Sequence, residues 1–203
     1  MQFVIATANP GKVREMREIL SELGIDAVTR KELGIELEIE ETGSTFLDNA
    51  TLKARAICEA SGMPSIADDS GLLVDALGGA PGVYSSSYGG PGLSDAQRCD
   101  YLLEKLKNKE QKSAKFVSTI VCAFPGGDIL AAEGECHGEI IGSQRGFNGF
   151  GYDPVFLVRG KDRTMAELAP DEKNIISHRG VALREFSKKL QALLMRKSES
   201  GAF

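Results

Sequence analysis

The sequence predicts an α/β fold with a mixed sheet, and three segments support this prediction. A short apolar run at residues 3–6 is followed by a loop and then by apolar residues at helical spacing from Val13 to Leu23. Residues 115–124 are rich in β-branched and aromatic side chains, turn residues occupy 125–128, and 129–136 again suit a strand. A strand–loop–helix unit together with an antiparallel hairpin indicates a sheet that contains both strand directions.

Capping residues predict where the first three helices begin. Asn9 is suited to cap the first helix, with Pro10 at its first position. Thr45 is suited to cap a second helix that ends at Gly62, and a short strand then leads to Asp68, so we expect the acidic residues there at a strand end. A third helix is expected to open at Ser94.

Turn composition and helical spacing organise the rest of the chain. The glycine- and proline-rich stretch 78–92 is expected to be a long loop. Pro154–Val158 is expected to form another strand, and the spacing of leucines between Leu183 and Leu194 predicts a closing helix that precedes a polar tail after Arg196.

Bulk properties narrow the classes of partner. At 203 residues the chain is expected to form a single domain over 1–203. Its net charge of −5 argues against nucleic acid and favours a small-molecule partner. Four scattered cysteines form no C-x-x-C pair, which favours reduced thiols. No apolar run is long enough to span a membrane, so we expect no membrane partner and a cytoplasmic location.

The loop between the first strand and the first helix carries groups that suit phosphate oxygens. A hydroxyl, an amide side chain, a helix N-terminus and an ammonium fall within six residues, which are Thr7, Ala8, Asn9, Pro10, Gly11 and Lys12. The loop lacks the spacing of a P-loop and its magnesium-binding hydroxyl. The alternative is an ordinary capped helix with a solvated lysine.

Acidic residues at two places could supply oxygens to a cation. Asp68 and Asp69 are adjacent, and two carboxylates at the end of a buried strand are costly unless a cation or donors offset them. Glu41 ends the alternating stretch 35–40, whose other carboxylates could face water along an edge strand. Magnesium typically takes one or two carboxylates from a protein, but a structural ion-pair network is the alternative.

A third group of residues could recognise a planar ring. Residues 146–153 combine glycines with the aromatic rings of Phe147, Phe150 and Tyr152, which could stack on a base. Farther along the chain, His178 and Arg179 stand just before the closing helix and could donate to carbonyl oxygens of a ligand. A loop of turn residues and a structural histidine are the competing interpretations.

Taken in order, these stretches resemble the inosine/xanthosine triphosphate pyrophosphatase family over nearly the whole chain. The matching segments are Thr7–Lys12, Glu41–Gly43, Thr45-Phe46, Asn49-Ala50, Lys53–Arg55, Ala67–Gly71, Gly78–Ser85, Gly149–Pro154, Met165–Leu168, Lys173 and Ser177–Gly180. The resemblance implies an elongated mixed β-sheet with flanking helices, two lobes around a central cleft, and a homodimer. It also implies a Mg²⁺-dependent enzyme that hydrolyses ITP, dITP and XTP to the nucleoside monophosphate and pyrophosphate.

The resemblance also assigns roles to individual residues. Glu41 and Asp69 are expected near magnesium, and Asp69 is expected to act as the base that activates water. The triphosphate is expected to contact the loop 7–12 and Lys53. The remaining substrate contacts are expected from Ser70, Phe150, Gly151, Tyr152, Asp153, Lys173, His178 and Arg179.

Two alternatives to this activity stay open at the level of sequence. The first is a purine nucleotide-binding sensor without catalysis, although paired carboxylates beside a triphosphate are costly for a passive binder. The second is a pyrophosphatase that acts on other modified nucleoside triphosphates.

Overall fold

The protein contains one six-stranded mixed sheet and five α-helices within residues 1–199, the part that the structure, a computed structural model, describes. The strands are β1 (Phe3–Ile5), β2 (Ala27–Thr29), β3 (Ser65–Val74), β4 (Ser113–Ala123), β5 (Ile129–Ile140) and β6 (Phe156–Val158). The helices are α1 (Pro10–Glu22), α2 (Phe46–Ser61), α3 (Asp95–Leu106), α4 (Pro170–Ile176) and α5 (His178–Glu199).

The sheet has the strand order β2-β1-β3-β4-β5-β6. β1 pairs in parallel with β2 and β3, whereas β5 and β6 are antiparallel. The predicted α/β class and the predicted mixture of strand directions are therefore confirmed.

The chain divides into two compact units. The first unit comprises Met1–Asp69, Ser118–Gly134 and the chain from Arg179 onward, and the second comprises Ser70–Val117 and Glu135–His178. Two buried apolar clusters lie within the first unit, one of which includes Ile5 and Phe186 and the other Ala54 and Ile57. A single large cluster lies within the second unit.

The predicted helix caps are present. The Asn9 side chain accepts a hydrogen bond from the Lys12 backbone N–H at 3.0 Å, with Pro10 in the first turn. Thr45 forms a reciprocal capping box with Asp48, and Gly62 ends α2 with φ +66°. Ser94 caps α3. Local sequence therefore determines where these helices begin and end.

The expectation that Asp68 and Asp69 lie at a strand end is wrong. Both residues lie inside β3, which continues to Val74. A buried strand can carry two carboxylates here because cationic and hydrogen-bonding partners meet both of them, as described below. The backbone of Gly71 stays in the strand and makes no turn.

The alternating stretch 35–40 is not an edge strand. The Arg30 guanidinium donates to the carbonyl oxygens of Ile35 at 3.3 Å and Leu37 at 2.5 Å, so a side chain binds groups that a neighbouring strand would otherwise bind. Ile35 and Ile39 still pack against an apolar cluster of the first unit. Their alternation thus reflects partial burial without a sheet partner.

Three further boundaries differ from the sequence-based expectations. β6 begins at Phe156, because a short 3₁₀ turn occupies Asp153–Val155. The sequence analysis did not identify α4, and His178 is the first residue of α5, not a residue before it. The helix α5 extends past Arg196 to Glu199, and the last four residues of the predicted polar tail lie outside the described residues.

None of the helices described within 1–199 has the length and apolar character needed to cross a membrane.

Candidate active site

Asp68 lies at the centre of a buried ionic cluster in the first unit. Its Oδ2 is 2.8 Å from Lys12 Nζ and 3.2 Å from a guanidinium nitrogen of Arg179, and its Oδ1 accepts a hydrogen bond from the Ser118 hydroxyl at 2.5 Å. Arg179 also pairs with Glu15 of α1. Asp68 is fully buried, so these partners must offset the cost of removing its charge from water.

Asp69 has a different set of partners. Lys53 Nζ lies 2.7 Å from Asp69 Oδ1 and 3.2 Å from Glu41 Oε2, and the Asn49 amide nitrogen lies 3.5 Å from Asp69 Oδ2. Lys53 and Asn49 are one turn apart on α2 and therefore share a face of that helix. Glu41 and Asp69 thus converge on one point of positive charge.

The two adjacent aspartates differ in their pKa values. Burial would raise the pKa of Asp68, but Arg179 and Lys12 outweigh it and hold that pKa well below its ordinary value. For Asp69, burial outweighs the attraction of Lys53 and Lys12, and it raises the pKa to about 6. Asp68 is therefore a fixed structural anion, whereas Asp69 is a stronger proton acceptor than an ordinary carboxylate.

Lys53 keeps its charge in this cluster. Burial would lower the pKa of Lys53, but the neighbouring Asp69 and Glu41 outweigh it, and the net shift is upward. Lys12 sits in the first turn of α1, where its backbone N–H is bound by Asn9 and its side chain by Asp68. The Thr7 hydroxyl accepts from the Asn9 backbone N–H at 3.2 Å. The loop 7–12 is thus fixed by its own side chains and presents a helix N-terminus beside an ammonium.

The acidic pair Glu41 and Asp69 suits a hard divalent cation that a ligand helps to coordinate. Among the side chains that the structure describes, no group of three or more histidines, cysteines, aspartates or glutamates could hold a metal ion. The fit of a cation therefore depends on two carboxylates, which already converge on the Lys53 ammonium. Magnesium commonly binds in this way, with one or two carboxylates and with phosphates and water completing its shell. The donor set fits such an ion.

A second buried ion pair lies within the second unit. Lys173 Nζ is 2.6 Å from Asp153 Oδ2, and both side chains are almost completely buried. The ammonium also lies 5.2 Å from the centre of the Phe150 ring, and Asp153 accepts from the Phe150 backbone N–H at 3.0 Å. Gly149 has φ +81°, and a Cβ there would lie 2.0 Å from Asp153 Oδ2. The segment 149–153 is therefore folded tightly around this pair.

His178 and Tyr152 are also part of the packing of the second unit. The imidazole stacks on Phe116 with ring centres 4.8 Å apart and planes at 15°. Tyr152 is 4% exposed, and its hydroxyl donates to the Ser85 carbonyl at 2.9 Å. Phe147, by contrast, is fully exposed. Of the three rings expected to stack on a base, the Phe150 ring is neither buried in the core nor fully exposed.

The structure brings the sequence-predicted residues together in two groups. In the first unit Lys12, Lys53, Glu41, Asp69 and Arg179 all belong to the cluster around the two aspartates of β3. In the second unit Phe150, Asp153 and Lys173 are in mutual contact. Ser70 follows the aspartates in β3 and is partly buried.

Sequence reasoning did not assign roles to four residues that complete these groups, namely Glu15, Asn49, Phe116 and Ser118. Glu15 and Asn49 lie on helix faces that also carry buried residues, and a polar residue on a buried face is a signal that could have revealed them. Ser118 and Phe116 occur in a strand whose residues are nearly all buried. Nothing in their local sequence distinguishes them from core residues.

The geometry defines a class of protein: an α/β protein in which lysines on two helices face the carboxylates of Glu41 and of two adjacent aspartates, an arrangement suited to a polyanion and a cation. A model of the Ham1 family matches residues 3–189, and the chain belongs to the Ham1 family. The family resemblance expected from the sequence is thereby confirmed.

Individual relatives agree with this assignment. The chain is 49% identical to a dITP/XTP pyrophosphatase of Bacillus subtilis over 191 residues. This alignment covers 93% of this chain and 96% of the relative. It is also 48% identical to a dITP/XTP pyrophosphatase of Thermus thermophilus over 186 residues, and that alignment covers 91% of this chain and 89% of the relative.

Two solved structures extend the similarity to the fold. The Staphylococcus aureus Ham1 protein is 40% identical with a TM-score of 0.84, and 95% of this chain and 99% of that chain are covered. A HAM1 protein from Coxiella burnetii is 44% identical with a TM-score of 0.85 and the same coverage.

Proposed function

We propose that this protein hydrolyses non-standard purine nucleoside triphosphates, namely ITP, dITP and XTP, to the nucleoside monophosphate and pyrophosphate. The observation that carries this proposal is the pairing of one ammonium, Lys53, with both Glu41 and Asp69. The relatives from Bacillus subtilis and Thermus thermophilus are dITP/XTP pyrophosphatases, which supports the proposal.

The first unit supplies the phosphate and metal chemistry in this proposal. The helix N-terminus at residues 7–12 and the ammoniums of Lys12 and Lys53 bind the triphosphate oxygens. Glu41 and Asp69 would hold Mg²⁺, which when bound would supply positive charge to offset the charge that develops on the phosphoryl oxygens. Asp68 takes part indirectly, because its charge holds Lys12 in place.

Asp69 is the proposed general base. Its carboxylate orients a water molecule in line with the α-phosphorus and accepts its proton. The water oxygen bonds to the α-phosphorus as the bond from that phosphorus to the α–β bridging oxygen breaks, so that pyrophosphate leaves and the nucleoside monophosphate remains. Positioning and charge stabilisation contribute most of the acceleration in such reactions, since little covalent chemistry is left to the protein.

The second unit supplies base recognition in this proposal. Phe150, Gly151, Tyr152 and Asp153 hold the base and sugar, and Ser70 touches the substrate. Lys173 completes base recognition, and His178 and Arg179 donate to the 6-carbonyl of hypoxanthine or xanthine. Adenine carries an amine at that position, so donors would face a donor and remain unpaired. Arg179 stays a predicted member of this donor set, although its described ion pairs are with Asp68 and Glu15.

A panel of nucleoside triphosphates tests the proposed activity. We expect pyrophosphate, not orthophosphate, from ITP, dITP and XTP with Mg²⁺, and much slower turnover of ATP, whose amine at position 6 faces donors. Orthophosphate as the first product would contradict the proposal. Tight binding of ITP without any turnover would identify the protein as a sensor. Turnover restricted to other modified nucleotides would identify it as a pyrophosphatase with a different substrate.

The substitution Asp69→Asn tests the proposed base. The amide keeps the size of the carboxylate but cannot accept the proton, so we expect a folded protein that has lost roughly 10²-fold or more of its turnover. Pyrophosphate release measures the loss, and circular dichroism checks the fold. Near wild-type turnover in this variant would remove Asp69 from the mechanism.

The proposal also includes a homodimer and a cytoplasmic location, both implied by the family resemblance and by the expected substrate pool. Four cysteines in the reduced form are consistent with a reducing compartment. Light scattering on the purified protein determines the oligomeric state, and a mass of one chain at micromolar concentration would contradict the dimer.

A further inference from the structure

Asn49 of α2 makes two contacts that the proposed mechanism has not used. Its Oδ1 accepts a hydrogen bond from the Gly43 backbone N–H at 2.8 Å, and its Nδ2 lies 3.5 Å from Asp69 Oδ2. Because a backbone N–H can only donate, the atom that faces Gly43 must be the oxygen, and the NH₂ group must then face Asp69. Asn49 is 3% exposed, so both contacts are made away from bulk water.

Asn49 and Lys53 together fix the position of the Asp69 carboxylate relative to the segment 41–43. Lys53 binds Asp69 Oδ1 and Glu41 Oε2, while Asn49 faces Asp69 Oδ2 and binds Gly43. Each oxygen of the Asp69 carboxylate therefore meets a different residue of one helix face. The Lys53 ammonium is a point charge on a flexible stem, whereas the Asn49 amide is planar and its orientation is set by Gly43.

Close packing at Gly43 also holds the segment 41–43 in position against α2. A Cβ at this position would lie 2.6 Å from Asn49 Oδ1 and 2.5 Å from Asp48 Cβ, so no side chain fits there without displacing α2. The φ of Gly43 is not positive, and glycine is thus required for the close approach and not for an unusual backbone conformation. The segment after Glu41 is held against the start of α2.

We propose that Asn49 is a positioning residue that holds the Asp69 carboxylate and the Glu41 segment in the arrangement that the reaction needs. The inference rests on the proposed function, since it assigns Asp69 and Glu41 the roles given above. When phosphate oxygens compete for the Lys53 ammonium, the neutral Asn49 amide keeps its two contacts and preserves the spacing of the two carboxylates. Partners that orient functional carboxylates in this way typically change activity or metal affinity by roughly 10–100-fold when they are altered.

The substitution Asn49→Asp separates the two contacts. The new carboxylate keeps an oxygen that accepts the Gly43 N–H, but it loses the donor toward Asp69 and places an anion there. We expect the Gly43 amide to retain its protection against hydrogen exchange by NMR, while kcat for dITP with Mg²⁺ falls at least tenfold and KM changes less than kcat. The variant Asn49→Ser, whose hydroxyl is too short for either contact, is expected to lose both Gly43 protection and turnover.

The matched control is Asn108→Asp, the same chemical change at an exposed turn residue. It should leave both Gly43 exchange and turnover at wild-type values. Turnover of Asn49→Asp within twofold of wild type would overturn the inference, and so would loss of Gly43 protection in that variant, because the effect would then be loss of local structure. Absence of hydrolysis by the wild-type protein defeats the proposed function itself, whereas an active wild type with an unaffected Asn49→Asp defeats this inference alone.

Discussion

At the scale of single residues, the two neighbouring aspartates of β3 show how position decides chemistry. Asp68 and Asp69 have the same side chain and are both buried, yet the pKa of Asp68 is lowered and that of Asp69 is raised to about 6. Asp68 has two cations and a hydroxyl as partners, whereas Asp69 shares the ammonium of Lys53 with Glu41. One carboxylate is therefore suited to structure and the other to proton transfer.

Removing the Asp68 charge should destabilise the protein. Asp68→Asn leaves Lys12 and the buried Arg179 with less compensation, and breaking a buried pair in this way typically costs about 3–5 kcal/mol. Urea unfolding at pH 7 measures the change in the free energy of unfolding. The control is Glu104→Gln, which breaks an exposed pair with Lys107 at 3.8 Å and should cost no more than about 1 kcal/mol. Equal costs in the two variants would show that the cluster around Asp68 does not stabilise the fold.

At the scale of structural elements, the segment 145–167 depends on charged side chains that tie its two ends. Arg145 binds Glu167 at 2.7 Å, and the Thr164 backbone N–H donates to the same carboxylate at 2.7 Å. A Cβ on Gly146 would lie 2.4 Å from the Ala166 backbone, so the two chain segments touch there. The segment that carries Phe150 and Asp153 is thereby closed at its base.

The Glu167 contacts should make stability depend on pH. Hydrogen bonds from Arg145 and Thr164 lower the pKa of Glu167 to about 2 from the ordinary 4.5. Because the folded-state pKa is depressed, the contribution is complete above pH 4.5 and is lost as the pH falls from there toward 2. We expect Glu167→Gln to lower the urea midpoint at pH 7 and the gap to wild type to close below pH 4.5. An unchanged gap down to pH 3 would contradict this, and Glu110→Gln, at an exposed position, is the control.

Gly149 should tolerate a side chain less well than another glycine with the same backbone conformation. Gly149 and Gly160 have φ values of +81° and +78°, but only Gly149 has neighbours within 4 Å, namely Asp153 and Lys173. Both alanine variants should incur about 1–2 kcal/mol of backbone strain, and Gly149→Ala should incur a further 1–3 kcal/mol from overpacking against the buried pair. Denaturant unfolding measures both variants. Equal losses would show that the Asp153–Lys173 pair is not rigid.

Much of the fold could be predicted from local sequence, and the errors have a common physical origin. Asn9, Thr45 and Ser94 mark helix starts because capping is a local interaction. The continuation of β3 through Asp68 and the non-strand conformation of 35–40 could not be predicted in this way. They depend on Lys12, Arg179 and Arg30, whose side chains reach these segments only in the folded chain.

The candidate site was predictable to a similar extent. Motif order alone indicated Glu41, Lys53 and Asp69, which the structure places in contact. Asn49 carried a usable signal, since it is a polar residue on a helix face that also carries buried residues. The contribution of Ser118 was not visible, because nothing in the local sequence of its buried strand distinguishes it from a core residue.

At the scale of the whole molecule, a single domain over the chain stays a prediction. Three strands, β3, β4 and β5, each contribute residues to both compact units. Strands shared in this way favour cooperative unfolding, because a unit cannot lose its strands without breaking backbone hydrogen bonds of the same sheet.

The four buried cysteines allow the cooperativity of unfolding between the two units to be measured. Cys58 and Cys122 lie in the first unit, and Cys99 and Cys136 lie in the second. Burial raises the pKa of Cys99 to about 12 and that of Cys136 to about 11, and it raises the pKa values of the other two thiols as well. Since the thiolate is the reactive form, all four should react with a thiol reagent at pH 8 far more slowly than a free cysteine does.

Labelling across a urea gradient, followed by peptide mass spectrometry, should therefore show no rapid modification of the native protein. A single cooperative transition predicts that both pairs become reactive at the same urea concentration, with fully unfolded protein as the positive control for all four sites. Modification of the Cys99 and Cys136 pair at clearly lower urea than the Cys58 and Cys122 pair would show that the units unfold separately. In that case the shared strands would not be enough to couple them, and two domains would describe the chain better than one.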